Sequence, residues 1–505
     1  MNAHQNIPDP SRHTDLSGRI ASASATVFML QVTLRLIGLL NTFILARILL
    51  PDDFGLVAIG ISVLQLIQNL TDIGVSQTVI RYQNPTDTKL NTIFTLSLLR
   101  GIAIAIVLIL IALNATFLFQ DPRVQVLILG LSIIPLLHAG INPKYFQFEG
   151  QLDFTKEFFT GVTEKMLGVV VSVTIALIWQ TYLAIVFGLI AGTLVKLILS
   201  YFLLPFRPRL TLASFSEIWG FTGWLGGVSF VTSLNNKLDV IMMGRILGPT
   251  PTGIFYIADQ LAGMASTEIA SPIARALYPG LSQIQADSEA MLRLFLRSTE
   301  VLGATALPAG IGFAFVADTL IVILLGQRWA ETIPIIQILA PVFGLTCCFS
   351  SMYAFAVAKG MTRALCIREI IFFMIKVPLF LWATLNYGMM GAAYAVFGNA
   401  LIHFALSLLL FGKISRQPFW LPIWRIRRSF AACVLMALSL LILSPVFSNI
   451  PMSLILVKPL AQATIGVSIF ALVHYVLWSI EGRPPGIEAD ALQLGRSLTK
   501  PKTKS

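Results

Sequence analysis

The chain has 505 residues, 56% hydrophobic and only 12% charged, with a net charge of +11 and a mean hydropathy of +0.81. Soluble domains average about 25% charged residues, so this composition excludes a soluble globular protein and reads as an all-α polytopic membrane protein. The four cysteines (Cys347, Cys348, Cys366, Cys433) show no C-x-x-C spacing and read as packing residues, not as disulfides or metal ligands.

Residues 1–18 form a polar tail without the apolar core and cleavage site of a signal peptide, so the first span is expected to act as an uncleaved insertion signal. A hydrocarbon core about 30 Å thick needs roughly 20 apolar residues per helix. On that ruler about fourteen spans are expected. They cover 21–46, 54–79, 91–117, 124–142, 161–179, 182–204, 217–244, 253–277, 299–317, 334–358, 366–385, 389–411, 429–448 and 456–479. The short run Leu320 to Leu325 is expected to be interfacial.

Counting Lys and Arg loop by loop fixes an orientation. With the N-terminus cytoplasmic, 25 of the 35 lie on the cytoplasmic side. Five lie outside (Arg47, Arg123, Arg245, Arg328, Lys458) and five within spans (Arg35, Arg100, Lys196, Lys237, Lys376). This is a strong positive-inside bias, and it predicts that both termini are cytoplasmic. Basic loops such as Arg425, Arg427 and Arg428 then face anionic headgroups, and the positive charge needs no nucleic acid to explain it.

Between the first two spans lies Arg47-Ile-Leu-Leu-Pro51-Asp-Asp-Phe-Gly55, and 198 positions later Arg245-Ile-Leu-Gly-Pro249-Thr-Pro-Thr-Gly253. Arg, Ile, Leu, Pro and Gly recur in register, which reads as an internal duplication. The offset spans six helices, an even number, so the repeats are parallel. The expected organisation is a tail (1–18), an N-lobe of six helices (19–205), a cytoplasmic linker (206–216), a C-lobe of six (217–413), two appended helices (414–480) and a tail (481–505). Both hairpin tips are expected on the extracytoplasmic side. Arg47, Pro51, Gly55, Arg245, Pro249 and Gly253 then form either tight outer turns or, taken together, an outer gate.

Polar side chains within a bilayer are costly and belong in an interior or a wet cavity. Gln31, Arg35, Gly38 and Thr42 share one face of the first helix, and Gln65, Gln68, Asn69, Asp72 and Ser76 one face of the second. The seventh helix carries Thr232, Asn236, Lys237 and Asp239, and the eighth Tyr256, Asp259, Gln260, Gly263 and Thr267. These four helices open the two lobes and are expected to line a central cleft, although uncharged stripes also serve simply to join helices. Arg35 is the sharpest candidate, mid-span with no acid within two turns of its own helix. His403 and Asn399 share a face of the twelfth helix, where a packing histidine is expected. Arg100 reads as an interlobe or interhelix anchor.

No G-x-x-x-x-G-K-[ST] loop occurs, and the connections are too short to hold a folded catalytic domain. No catalytic residue, cofactor or metal is expected.

Ala46-Arg-Ile-Leu-x-Pro-x-Asp-Phe-Gly-Leu-Val57 and Thr71-Asp-Ile-Gly74 resemble the start of bacterial polysaccharide-transporter proteins. So do Asn236-x-x-Asp239, Gly244-Arg-x-Leu-Gly248, and Gly253-x-x-Tyr256 with Ala258. Leu325-Gly-Gln-Arg-Trp329 is similar to the Gly-x-x-Trp signature between the ninth and tenth helices. The resemblance covers roughly the first 420 residues. It points to oligosaccharide flippases of the multidrug/oligosaccharidyl-lipid/polysaccharide (MOP) exporter superfamily, close to Wzx-type exopolysaccharide exporters. It implies an inner-membrane protein moving undecaprenyl-pyrophosphate-linked repeat units, with a polysaccharide polymerase and glycosyltransferases as partners. On that reading Arg35 and Lys237 supply cations for the pyrophosphate. Asp72, Asp259 or Glu268 would take up a coupling ion. The rival readings are a lipid II flippase, an ion-coupled drug antiporter, a membrane-bound glycosyl transferase or ligase, and a non-transporting assembly scaffold.

Overall fold

The computed structural model describes residues 10–71, 86–150, 154–448, 455–484 and 488, and among these all regular structure is helical. By contacts the chain divides into two compact units, 1–253 and 254–505.

The first unit contains α1 (Pro10–Ile48), α2 (Pro51–Leu70), α3 (Asp87–Leu113), α4 (Pro122–Ala139, with a break at Ser132), α5 (Phe154–Trp179), α6 (Leu183–Leu203) and α7 (Phe215–Ile246), and it closes on the first turn of α8 (Pro249–Gln283). The second holds the rest of α8, then α9 (Ser288–Leu324) and α10 (Thr332–Ala358, interrupted after Cys348). A long helical stretch, Thr362–Ser415, follows and bends at Gly388 (φ 60°, ψ −142°), giving α11 (362–387) and α12 (389–415). The chain continues with α13 (Leu421–Ile442) and α14 (Val457–Ile480). Among the described residues nine helices are long and apolar enough to cross a membrane. The remaining expected spans coincide with α7, α8, α11, α12 and α13.

The helix that opens at Pro51 ends at Leu70, with Thr71 as its C-cap, and the rest of that expected span, 72–79, lies outside the described residues. One boundary differs from expectation. Leu320 to Leu324 form the last turn of α9, because no helix breaker separates them from the preceding span.

In the first unit α2 is the central strut, with 61% of its apolar window buried against 17% for α1 and 11% for α5. Leu56, Ile59 and Val63 of α2 pack with Ile104 and Leu108 of α3, Leu127 and Leu131 of α4, and Val186 of α6. In lipid such packing holds through close van der Waals fit, which small residues permit. A Cβ on Gly188 would stand 2.6 Å from the Gly168 carbonyl oxygen, and one on Gly192 2.8 Å from that of Glu164. These contacts bring α5 and α6 together backbone to backbone. The segment after α6 is pinned along the start of α3: Asn91, Thr95 and Thr92 side chains accept from the backbone N–H groups of Arg209, Thr211 and Ser214.

In the second unit α9 is the strut. Asp287 caps it by accepting from the N–H groups of Glu289 and Ala290. Its two ends tie it to the last helices: Glu300 to Arg425 of α13 at 3.1 Å and Asp318 to Lys458 of α14 at 2.6 Å. Trp329 is fully buried, delivered by a turn in which Gly326 has φ +97°. That conformation is one glycine adopts without strain. Cys347, Cys348 and Cys433 are free and buried, as packing residues are.

Candidate functional site

The repeated tips fold alike, with Pro51 and Pro249 each opening a helix, where a missing N–H costs nothing and φ is already set. In the first copy Asp53 accepts from the Leu50 N–H at 3.0 Å. In the second, Thr252 donates to the Gly248 carbonyl at 2.7 Å. The copies differ at their fourth position for a conformational reason: Leu50 is extended (φ −88°), whereas Gly248 has φ +81°.

The two tips also touch. A Cβ on Gly55 would fall 1.8 Å from the Pro249 carbonyl oxygen, and one on Gly253 1.9 Å from that of Pro51. Thr250 donates to Asp52 at 3.0 Å. The contacts are reciprocal: Gly55 meets Pro249 as its equivalent Gly253 meets Pro51, and Asp52 meets its own equivalent, Thr250. Asp52 also pairs with Arg123 at 2.5 Å, and Arg123 with Asp121 at 2.7 Å, so the junction is tied to the start of α4. Arg47 and Arg245 are exposed just before it.

Below the tips α7 runs along α2, with Gly244 against the Ile59 side chain. Lys237 lies two turns deeper, about 10 Å at 1.5 Å per residue, level with the polar end of α2. Lys237 and Asp239 are half-buried, Asn236 is exposed, and its neighbour Asn235 is the buried asparagine.

On α1, Gln31 and Arg35 are half-buried on the predicted face. Gly38 continues that face and accommodates Lys165 of α5, whose Cε and Nζ lie 3.5 and 3.8 Å from where a Cβ on Gly38 would stand. One turn on, Ser172 of α5 donates to Asn41 at 3.1 Å. The neighbouring acid, Glu164, is engaged by Lys196 at 3.0 Å. Lys165 itself is exposed, so it adds a positive charge over the stripe that carries Arg35. The sequence alone concealed Lys165, which stands at the start of a span and reads as one more cytoplasmic basic residue.

A second polar site lies at the end of α2. Gln68 and Asn69 line a cavity of about 310 Å³ with Ser97, Arg100, His138 and Phe146. Arg100 donates to the Gln68 carbonyl at 2.6 Å and to Thr71 at 3.3 Å, so the expected interhelix anchor caps the C-terminus of α2. Gln65 sits half-buried one turn earlier. Asp72 lies outside the described residues.

Tyr256, Asp259 and Glu268 are half-buried and Gln260 exposed on α8, all in the second unit. Tyr256 and Asp259 lie one turn apart on α8. No group of three or more His, Cys, Asp or Glu suited to a metal occurs among the described residues.

Two helical units, a two-fold tip junction and polar stripes inside spans define a polytopic membrane protein of the MOP-exporter fold. The chain superposes on the lipid II flippase MurJ in an inward closed conformation with a TM-score of 0.73 at 14% identity, covering 90% of this chain and all of that one. It superposes on an inward-facing multidrug resistance MATE family transporter of the MOP superfamily with a TM-score of 0.61 at 14% identity, covering 78% and 99%. Residues 44–334 match the family described as polysaccharide biosynthesis protein, and the chain belongs to that family. Among curated relatives it is 27% identical to the lipopolysaccharide biosynthesis protein WzxC of Escherichia coli (strain K12), over 66% of this chain and 67% of the relative. It is 23% identical to the succinoglycan biosynthesis transport protein ExoT of Rhizobium meliloti (strain 1021), over 59% and 60%.

Proposed function

We propose that the protein is a flippase that carries undecaprenyl-pyrophosphate-linked oligosaccharide units across the bacterial inner membrane by alternating access. Its termini and basic loops face the cytoplasm, and its tips face outward. The observation that carries this reading is the cationic patch between α1 and α5, where Lys165 of α5 lies over Gly38 on the α1 face that carries Arg35, while Glu164 is engaged by Lys196.

The physical problem is the pyrophosphate. Desolvating a charged group costs several kcal/mol even after relaxation, so a path across the bilayer must replace its water with opposite charge. A guanidinium offers paired donors to phosphate oxygens and an ammonium a compact point charge. Lys237, two turns below the tips, adds a third cation in the first unit. Gln31, Gln65, Gln68 and Asn69 supply amide donors and acceptors for sugar hydroxyls, while the polyprenyl chain stays in lipid. The glycosyltransferases and polymerase of the same polysaccharide are the expected partners, and the protein itself transforms no bond. The relatives' names, which speak of lipopolysaccharide biosynthesis and succinoglycan transport, agree with this substrate class.

The test is flipping of a fluorescent lipid-linked oligosaccharide in proteoliposomes. Wild type should expose substrate in the opposite leaflet, and Arg35→Ala should slow this by at least tenfold while remaining inserted. Wild-type rates in Arg35→Ala would sink the cationic-patch mechanism, and no flipping by the wild type under any ion gradient would favour a scaffold.

A further inference from the structure

Counted by six-helix repeat (α1–α6 and α7–α12), the fifth and sixth helices are each joined across a turn residue in the positive-φ region, Gln180 between α5 and α6 and Gly388 between α11 and α12. At similar distances from these turns, each pair carries an acid on one helix and a base on the other. Glu164 and Lys196 stand sixteen residues before and after Gln180, 3.0 Å apart. Glu369 and His403 stand nineteen before and fifteen after Gly388, 3.7 Å apart. The first base is a lysine, charged throughout the physiological range. The second is a histidine, whose imidazole can be neutral or carry an added proton.

The surroundings of the second pair are polar and buried. Arg368 is 8% exposed, pairs with Glu369 at 2.5 Å and donates to Ser407 at 3.2 Å. His403 stacks edge-on against Phe372 at 4.9 Å, and Lys376 lies a turn beyond on the same ring. Asn399, one turn before His403, is 3% exposed with neither side-chain polar atom hydrogen-bonded. A buried amide in that state marks a site built for a polar occupant such as water. α10 meets α12 through apolar side chains, Phe349 against Phe404 and Phe355 against Phe411, and α10 carries no charge. Charges on the other helices packed there are committed elsewhere: Glu300 to Arg297 and Arg425, and Arg428 to Glu481 and Glu488.

We propose that Glu369 and His403 form the proton-binding site that couples transport, with the proton held on the imidazole facing Glu369. The proposal rests on the transport reading above. Arg368 and Lys376 are fixed cations beside the site, so a metal cation such as Na⁺ is repelled, whereas a proton adds to a neutral base. Protonated His403 makes the α11–α12 pair the counterpart of α5–α6 with its permanent Lys196 bridge; deprotonated, the bridge is gone. Pro378, between the site and Gly388, leaves the Met374 carbonyl without its helical donor, so α11 can change its angle when the bridge opens.

The first test needs no substrate. Melting of the full-length protein in nanodiscs is followed from pH 5.5 to 8.5 for wild type, His403→Lys, His403→Gln and Glu369→Gln. Wild type should track His403→Lys at low pH and His403→Gln at high pH, and Glu369→Gln should abolish the difference. A wild-type curve parallel to His403→Gln at every pH overturns the site. The second test imposes a pH gradient on proteoliposomes containing lipid-linked oligosaccharide. Wild-type flipping should be stimulated several-fold, and both His403 variants should lose the stimulation. Retained stimulation in His403→Gln overturns the coupling role. Absence of any wild-type flipping overturns the transport reading instead, and the melting curves still decide whether the proton binds.

Discussion

Thr250 donates a hydrogen bond of 3.0 Å to Asp52, and the two residues occupy the same position of a repeat offset by 198 residues. Equivalent positions meet only at the symmetry element relating their copies, so this bond lies at the pseudo-two-fold junction of the tips. Breaking it by Asp52→Ala or Thr250→Val should destabilise the protein modestly, and the double variant should show a coupling of about 0.5–1 kcal/mol. A thermal-melt double-mutant cycle in detergent measures it. Strict additivity would mean that the junction is held by packing alone.

Packing at the junction is itself testable through its glycines. A Cβ on Gly55 or Gly253 lands below 2 Å from a backbone carbonyl oxygen, which no side-chain rotation relieves. Gly55→Ala and Gly253→Ala should each cost about 3 kcal/mol, the upper end of overpacking penalties. Gly248 is the internal control. It has φ +81° with nothing within 4 Å of an added Cβ, so Gly248→Ala should cost only about 1 kcal/mol, from backbone strain. Equal losses at all three positions would argue that the tips do not meet.

The repeat was fully legible as a string, because Pro and Gly at fixed spacing carry local conformational meaning. That the tips meet was not, since the contact lies 198 residues apart in sequence and no local pattern encodes it. Periodicity marked Gln65, Gln68 and Asn69 on one face of α2, and two of them line a cavity. It could not show that the first half of α2 is sealed in the core. Lys165 was hidden for a similar reason, its meaning coming from the space over Gly38, on a different helix. The pairing of His403 with Glu369 was hidden too, because it joins two helices across the bend at Gly388 and no local pattern encodes it.

The acid–base network behind the tips makes stability pH-dependent. Its hydrogen bonds to Arg123 hold the Asp121 carboxyl below the usual carboxylate range. A depressed folded-state pKa contributes stability that is present above the unfolded value and lost as pH falls through the folded one. The melting temperature should therefore drop as the protein is taken from neutral pH into the acid range. Asp121→Asn should begin lower at neutral pH and lose part of that slope. An unchanged slope in Asp121→Asn would assign the acid sensitivity to other carboxylates.

The cationic patch makes the sharpest functional prediction, because its two members sit on different helices. A hydrogen bond to a charged group contributes about 1.5–3 kcal/mol, so losing Arg35 or Lys165 alone should slow flipping of a pyrophosphate-linked substrate by roughly 10- to 100-fold. If both hold the same pyrophosphate, the double variant should lose less than the product of the single losses, since the second removal acts on an already displaced anion. Glu164→Gln is the contrasting variant. It frees Lys196 and raises the local positive charge, so binding should hold or tighten while release slows, visible as a lower KM with a lower maximal rate. Lys165→Arg should retain most activity, as charge is kept at the same place over Gly38. Lys165→Ala with unchanged flipping would leave Arg35 acting alone or with Lys237, and would show that Lys165 serves only to cover α1.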